Sequence, residues 1–292
     1  MTNLALSPET VGHLLLAALF CLTGATGLVF KVASHKIDHR TAPAFMCLWV
    51  LAGLGLTFPL YGDLWYAGWQ GLIEQPWLGL LMLAKGGLLW LLFSQKQHLN
   101  KMSLSARNYT SPVAIGLMVF TNAAFGEQLA TAELVAAMGL CALGLSFAFK
   151  GHLQDLPAQG KTLFGAAVLL TVACGTLDHI LLTHLNWYVL LVVTNIILLA
   201  VVLLQRGGFG RLRESLTAPL AIAAGALFAT TELVKFYQTV SYSPVTVVVT
   251  VQSATIPVLL ILSALIWKER TWREQGLWGL LALALILPVI LT

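Results

Sequence analysis

Apolar residues fill this chain in long runs, and nearly all the ionisable residues fall in the gaps between them. A helix of about twenty residues at 1.5 Å per residue spans about 30 Å, the thickness of a hydrocarbon core. It also satisfies its own backbone polar groups, as a bilayer requires. Composition agrees. With 58% hydrophobic and only 10% charged residues, the chain lacks the polar material to cover a water-soluble surface. The partner expected from this balance is the lipid bilayer. A net charge of +4 could suggest nucleic acid, but the basic residues are spread between the runs and form no patch, so nucleic acid is excluded.

The runs predict an all-α polytopic membrane protein with ten spans, at about residues 11–33, 42–61, 77–97, 103–125, 131–149, 162–183, 187–204, 218–239, 243–266 and 272–291. The residues before Pro8 lack a basic segment and a small-residue cleavage site, so the first span is expected to stay in the mature protein. Its Thr23-Gly24-Ala25-Thr26-Gly27 stretch lets a neighbouring helix or a ligand come close. Between the second and third spans, Trp65, Tyr66, Trp69 and Trp77 beside Asp63 and Glu74 predict a segment lying in the interface. Residues 271–274, Thr-Trp-Arg-Glu, read as a capping box opening the last span. Cys21, Cys47, Cys141 and Cys174 lie inside apolar runs without paired spacing, so neither a disulfide framework nor a metal site is indicated.

One hairpin pattern occurs twice. Pro112 is followed by an apolar run to Gly126-Glu127, a short break and a second run to Phe149; Pro257 is followed by a run to Lys268-Glu269, a break and a run to the end. Aligning Glu127 with Glu269 also brings Gly139 and Gly144 near Gly276 and Gly279. The chain therefore divides into a repeat at 1–149, a linker at 150–161 and a second repeat at 162–292.

Lys and Arg follow only the odd-numbered spans, as at Lys36, Arg40, Lys96, Lys101, Arg211 and Arg213. This bias orients those loops to the cytoplasm and both termini to the periplasm of a cytoplasmic (inner) membrane. Five spans per repeat is an odd number, so the two copies are expected to sit inverted.

Ten spans in a five-plus-five duplication, with Gly126-Glu127 and Lys268-Glu269 closing the fourth and ninth spans, resemble EamA-type members of the drug/metabolite transporter superfamily. The resemblance implies a proton-coupled or exchange carrier of small metabolites, acting as a monomer or homodimer. It also implies a cavity lined by the first, third, fourth, sixth, eighth and ninth spans.

Candidate site residues are ionisable groups inside the runs, because charge at the bilayer centre is costly and functional by default. These are Lys85, Asp178 with His179, and Glu232 with Lys235, at depths of about 9 to 14 Å. Two readings stand for them. Either Lys85 and Glu232 form a structural ion pair, with Lys235 snorkelling to the interface, or the layer binds substrate and couples protons. A Lys and a Glu in one layer suit a zwitterion, an amino acid or related amine or carboxylate, with Trp90 and Tyr237 covering its apolar part and Asn108 and Gln252 supplying hydrogen bonds. Gly126, Glu127 and Glu269 form the hairpin motif, the two glutamates expected to cap or end the hairpins at the interface. No cofactor is implied. A lipid-linked metabolite flippase or a channel is the alternative. An intramembrane enzyme is disfavoured: His179 and His184 are five apart, off one helical face, and no catalytic motif is present.

Overall fold

The computed structural model describes residues 7–149, 156–267 and 272–291. Among them the chain is all helical, without a strand, in the order α1 (Pro8–Lys36), α2 (Ala42–Glu74), α3 (Trp77–Met102), α4 (Leu104–Ala124), α5 (Thr131–Phe147), α6 (Ala158–Leu182), α7 (Trp187–Leu204), α8 (Gly208–Thr217), α9 (Pro219–Ser241), α10 (Val245–Trp267) and α11 (Trp272–Leu291). Among the described residues six helices, α1, α2, α3, α6, α7 and α9, are long and apolar enough to cross a membrane. The linker expected at 150–161 gives way to α6 at Ala158. Glu269 and Thr271, and with them the second hairpin motif and the capping box, lie outside the described residues.

Local chemistry accounts for most of the boundaries. Ser7 and Ser103 accept hydrogen bonds from the amides of Thr10 and Ala106, capping α1 and α4, and Asn186 caps α7 through the Val189 amide. Glu133 accepts the Ala130 N–H at the start of α5. After α4 the chain reverses at Gly126, whose φ of +94° lies in the left-handed region that favours glycine.

Two elements differ from the sequence reading. The aromatic segment after residue 61 is not a separate interfacial stretch: α2 runs on without a break for 33 residues. That is about 50 Å of helix, longer than a hydrocarbon core. Trp65 and Trp69 stack along the extension with centroids 5.6 Å apart, and Asn186 Nδ2 donates to the Leu64 carbonyl at 2.6 Å, so side-chain contacts hold it helical. The basic loop after α7 contains α8, entered through Gly207 at φ +80°. Phe209 and Leu216 are exposed on it while Ser215 is buried, the pattern of a helix lying along an interface.

Side-chain meetings fix the relative directions. Gly12 meets Tyr242 and Thr26 bonds Thr231, so α1 and α9 run antiparallel. Gly53 meets Leu233 and Gly225 meets Trp49, so α2 and α9 run parallel. At one end, here the Thr41 end, Thr41 Oγ1 donates to Glu214 of α8 at 2.9 Å, and His39 stacks on His98. At the other, the Glu127 end, the α4–α5 turn reaches the start of α10. The main helix contacts are α1 with α9 and α6 with α3, α2 with α9 and α7 with α3, α4 with α6 and α10 with α1, and α4 with α5 and α10 with α11. In addition, α2 packs on α7, α4 on α10 and α5 on α11.

Candidate functional site

Four charged side chains meet in the middle of the bundle. Lys85 of α3, only 1% exposed, donates from Nζ to Asp178 Oδ1 of α6. On α9, Lys235 Nζ donates to Glu232 Oε2 at 2.7 Å. The two ammonium groups lie 5.0 and 4.6 Å from the centroid of the same ring, Phe236, so the pairs are neighbours and share a cation–π contact. A cavity of about 30 Å³ runs between them, with Thr194 and Asn195 of α7 on its wall.

The pairing differs from one of the two sequence readings, a structural ion pair of Lys85 with Glu232 and a snorkelling Lys235. Residues three apart share a helical face, so Glu232 takes the lysine on its own helix. Asp178 is brought to Lys85 by the packing of α3 on α6. Lys235 turns inward to its carboxylate and away from the interface.

A second cavity of about 180 Å³ adjoins this layer through Asp178, Glu232 and Lys235. Its wall is built from α1, α3, α4, α6, α9 and α10, with Met46 from α2. Thr23, Thr26 and Gly27 of the small-residue stretch line it, and Gly27 lets Leu259 of α10 come close, since an added Cβ would lie 2.6 Å from Leu259 Cδ1. From the ion-pair layer it extends toward the Thr41 end, where Lys96 and Gln97 of α3 and Arg107 and Asn108 of α4 complete it.

Of the expected ligand contacts, Asn108 and Gln252 line this larger cavity. Trp90 and Tyr237 line neither cavity. Tyr237 belongs instead to an aromatic cluster with Tyr61, Trp187 and Tyr242 at centroid distances of 6.0 to 6.3 Å. Trp90 has its Nε1 buried without a hydrogen-bond partner among the described residues.

Glu127 is buried, away from the water expected at an interface, and acts as a cap. Its Oε1 accepts the Thr246 amide at 2.8 Å, and its Oε2 accepts Thr246 Oγ1 at 2.6 Å and Asn122 Nδ2 at 2.7 Å. A carboxylate from the α4–α5 turn therefore caps the first turn of α10 and favours its positive end. Beside it, His179 of α6 contacts the Phe125 carbonyl at 3.2 Å. These contacts tie α4, α6 and α10 together at the Glu127 end.

Sequence reasoning missed Lys96 and Arg107. Lys96 was counted as a cation following the third span, an orientation signal, and Arg107 was given no role, yet both line the cavity. The available signal was the single residue, Ser103, separating α3 from α4: so tight a connection keeps the helix ends flanking it against the bundle. No protein-family profile matches the chain, and no curated protein matches it either.

Proposed function

We propose that the protein is a secondary carrier, moving a small charged metabolite, an amino acid or related amine or carboxylate, across the cytoplasmic membrane by alternating access. Transport is coupled to protons or to exchange. The observation that carries this reading is the layer of two ion pairs, Lys85 with Asp178 buried and Lys235 with Glu232 half-buried, opening onto a cavity of about 180 Å³. Buried ion pairs are no cheaper than hydrocarbon packing and often less stabilising. A layer of four charged groups beside a cavity is therefore better explained by an ionic cargo than by bundle stability.

The same proposal takes ten spans in two inverted repeats of five, after the EamA-type pattern. The packing supports it. Exchanging α1 with α6, α2 with α7, α3 with α9, α4 with α10 and α5 with α11 turns α1 on α9 into α6 on α3, α2 on α9 into α7 on α3, α4 on α6 into α10 on α1, and α4 on α5 into α10 on α11. Helices α2, α4 and α5 each meet their own counterparts across the centre. Repeats arranged so can rock about a shared central site. The charge bias puts the Thr41 end in the cytoplasm, so the cavity reaches toward the cytoplasm while the Glu127 contacts close the periplasmic side.

Uptake into proteoliposomes, with radiolabelled amino acids and dicarboxylates as the pool, tests the carrier reading. Saturable uptake, accelerated by counter-substrate inside the vesicle, is expected. A current that tracks voltage and does not saturate would make the protein a channel instead.

A further inference from the structure

The cavity has more positive charge than its carboxylates can balance. Lys85, Lys96, Arg107 and Lys235 surround the connected cavities, against only Asp178 and Glu232. Both carboxylates are taken, by Lys85 and by Lys235. Lys96 reaches only the Ser111 hydroxyl, at 3.5 Å, and Arg107 donates from one Nη to Asn108 Oδ1 at 2.8 Å. Neither has a carboxylate partner among the described residues. A guanidinium carries five N–H groups in a fork, so most of the Arg107 donors stay available.

The neutral side chains around them point the same way. Gln97 and Asn108 are 3% and 1% exposed, and Gln97 Nε2 and Asn108 Nδ2 are buried without a hydrogen-bond partner among the described residues. On α10, Ser253 Oγ also lines the cavity and is buried without a partner among the described residues. Half-buried cations without a carboxylate partner, and unmet buried donors beside them, are costly unless a ligand supplies the missing acceptors. A wall that mostly donates suits a ligand group that only accepts, and a carboxylate or a phosphate is such a group.

We propose that Lys96 and Arg107, with Gln97 and Asn108, form an oxyanion subsite at the Thr41 end of the cavity, suited by its two surplus positive charges to a dianionic carboxylate or phosphate compound. This moves the acidic group of the substrate away from Lys85, whose charge is committed to Asp178. The inference depends on the carrier reading only for the ligand being cargo, because binding can be measured without transport.

The test is thermal unfolding of the purified full chain in detergent, titrated with succinate, inorganic phosphate or ethylammonium at matched ionic strength. Wild-type protein is compared with Lys96→Gln, Arg107→Gln and the exposed α8 control Arg213→Gln. Saturable stabilisation by succinate or phosphate is expected in wild type and in Arg213→Gln, with apparent affinity falling at least tenfold in the two cavity variants. Ethylammonium should give no saturable shift. Whichever anion stabilises more identifies the group as carboxylate or phosphate. If a cavity variant does not fold, Lys96→Arg and Arg107→Lys keep the charge and should keep saturable binding. Absence of saturable stabilisation by either anion, or equal affinity in wild type and the cavity variants, overturns the subsite. Saturable anion binding without uptake in proteoliposomes would leave the subsite standing and remove the carrier reading. Uptake of a cationic solute without anion binding would do the reverse.

Discussion

Lys85 and Asp178 show what a single pair of residues contributes here. Each is buried, so removing one partner leaves the other as an uncompensated charge. Lys85→Met alone is expected to cost about 3 to 5 kcal/mol of stability. The double variant Lys85→Met with Asp178→Leu should cost much less, because both desolvation penalties vanish together. Denaturation of the two singles and the double measures this, and a double variant as unstable as the sum of the singles would deny the pairing. That these residues are ionisable and deep was legible in the sequence, but their partners were not. Hydropathy gives the length of a span and not its rotation, and the choice between Asp178 and Glu232 for Lys85 depends on which faces of α3, α6 and α9 meet. The pair on α9 could have been read, since residues 232 and 235 share a helical face whatever surrounds them. Lys96 and Arg107 escaped for a related reason: a basic residue near a helix end has the same sequence signature whether it points to water or into a cavity.

Among elements, the apolar runs were read with boundaries close to the observed helices; α7, at Trp187–Leu204, matches the run expected there. Long apolar segments leave the backbone little choice in a bilayer. Helix α8 and the extension of α2 were not read, because their helicity rests on tertiary contacts: Thr41 with Glu214 for the first and Asn186 with Leu64 for the second. Close approach of α2 and α9 is a further element-level feature. A Cβ added at Gly225 would run into the Trp49 indole and lie 3.0 Å from the Phe45 carbonyl oxygen, which is backbone and cannot turn aside. Gly225→Ala is therefore expected to destabilise by about 1 to 3 kcal/mol. Gly210→Ala on α8, where an added Cβ meets nothing within 4 Å, should leave stability unchanged and serves as the control. Equal unfolding temperatures for the two variants would contradict the packing of α2 on α9.

At the scale of the molecule, orientation and coupling are the consequences to test. The charge bias predicts that a Cys at Arg211→Cys on α8 is protected from a membrane-impermeant thiol reagent in intact cells, while a Cys at the Glu127 end, at Thr183→Cys, is labelled. The opposite pattern would invert the molecule and place the cavity toward the periplasm. Central to the proposed carrier is a coupling role for Glu232. It is held by Lys235 one turn away and borders both cavities, so protonation would release Lys235 and change the charge that the cargo meets. Glu232→Gln keeps the hydrogen-bonding shape and removes the titration. The most direct measurement is uptake into proteoliposomes with and without an imposed pH gradient, for wild type and Glu232→Gln, with thermal unfolding of both to establish that the variant is folded. A folded variant that exchanges substrate but no longer responds to the gradient is the predicted result; a folded variant with full gradient-driven uptake would contradict the account.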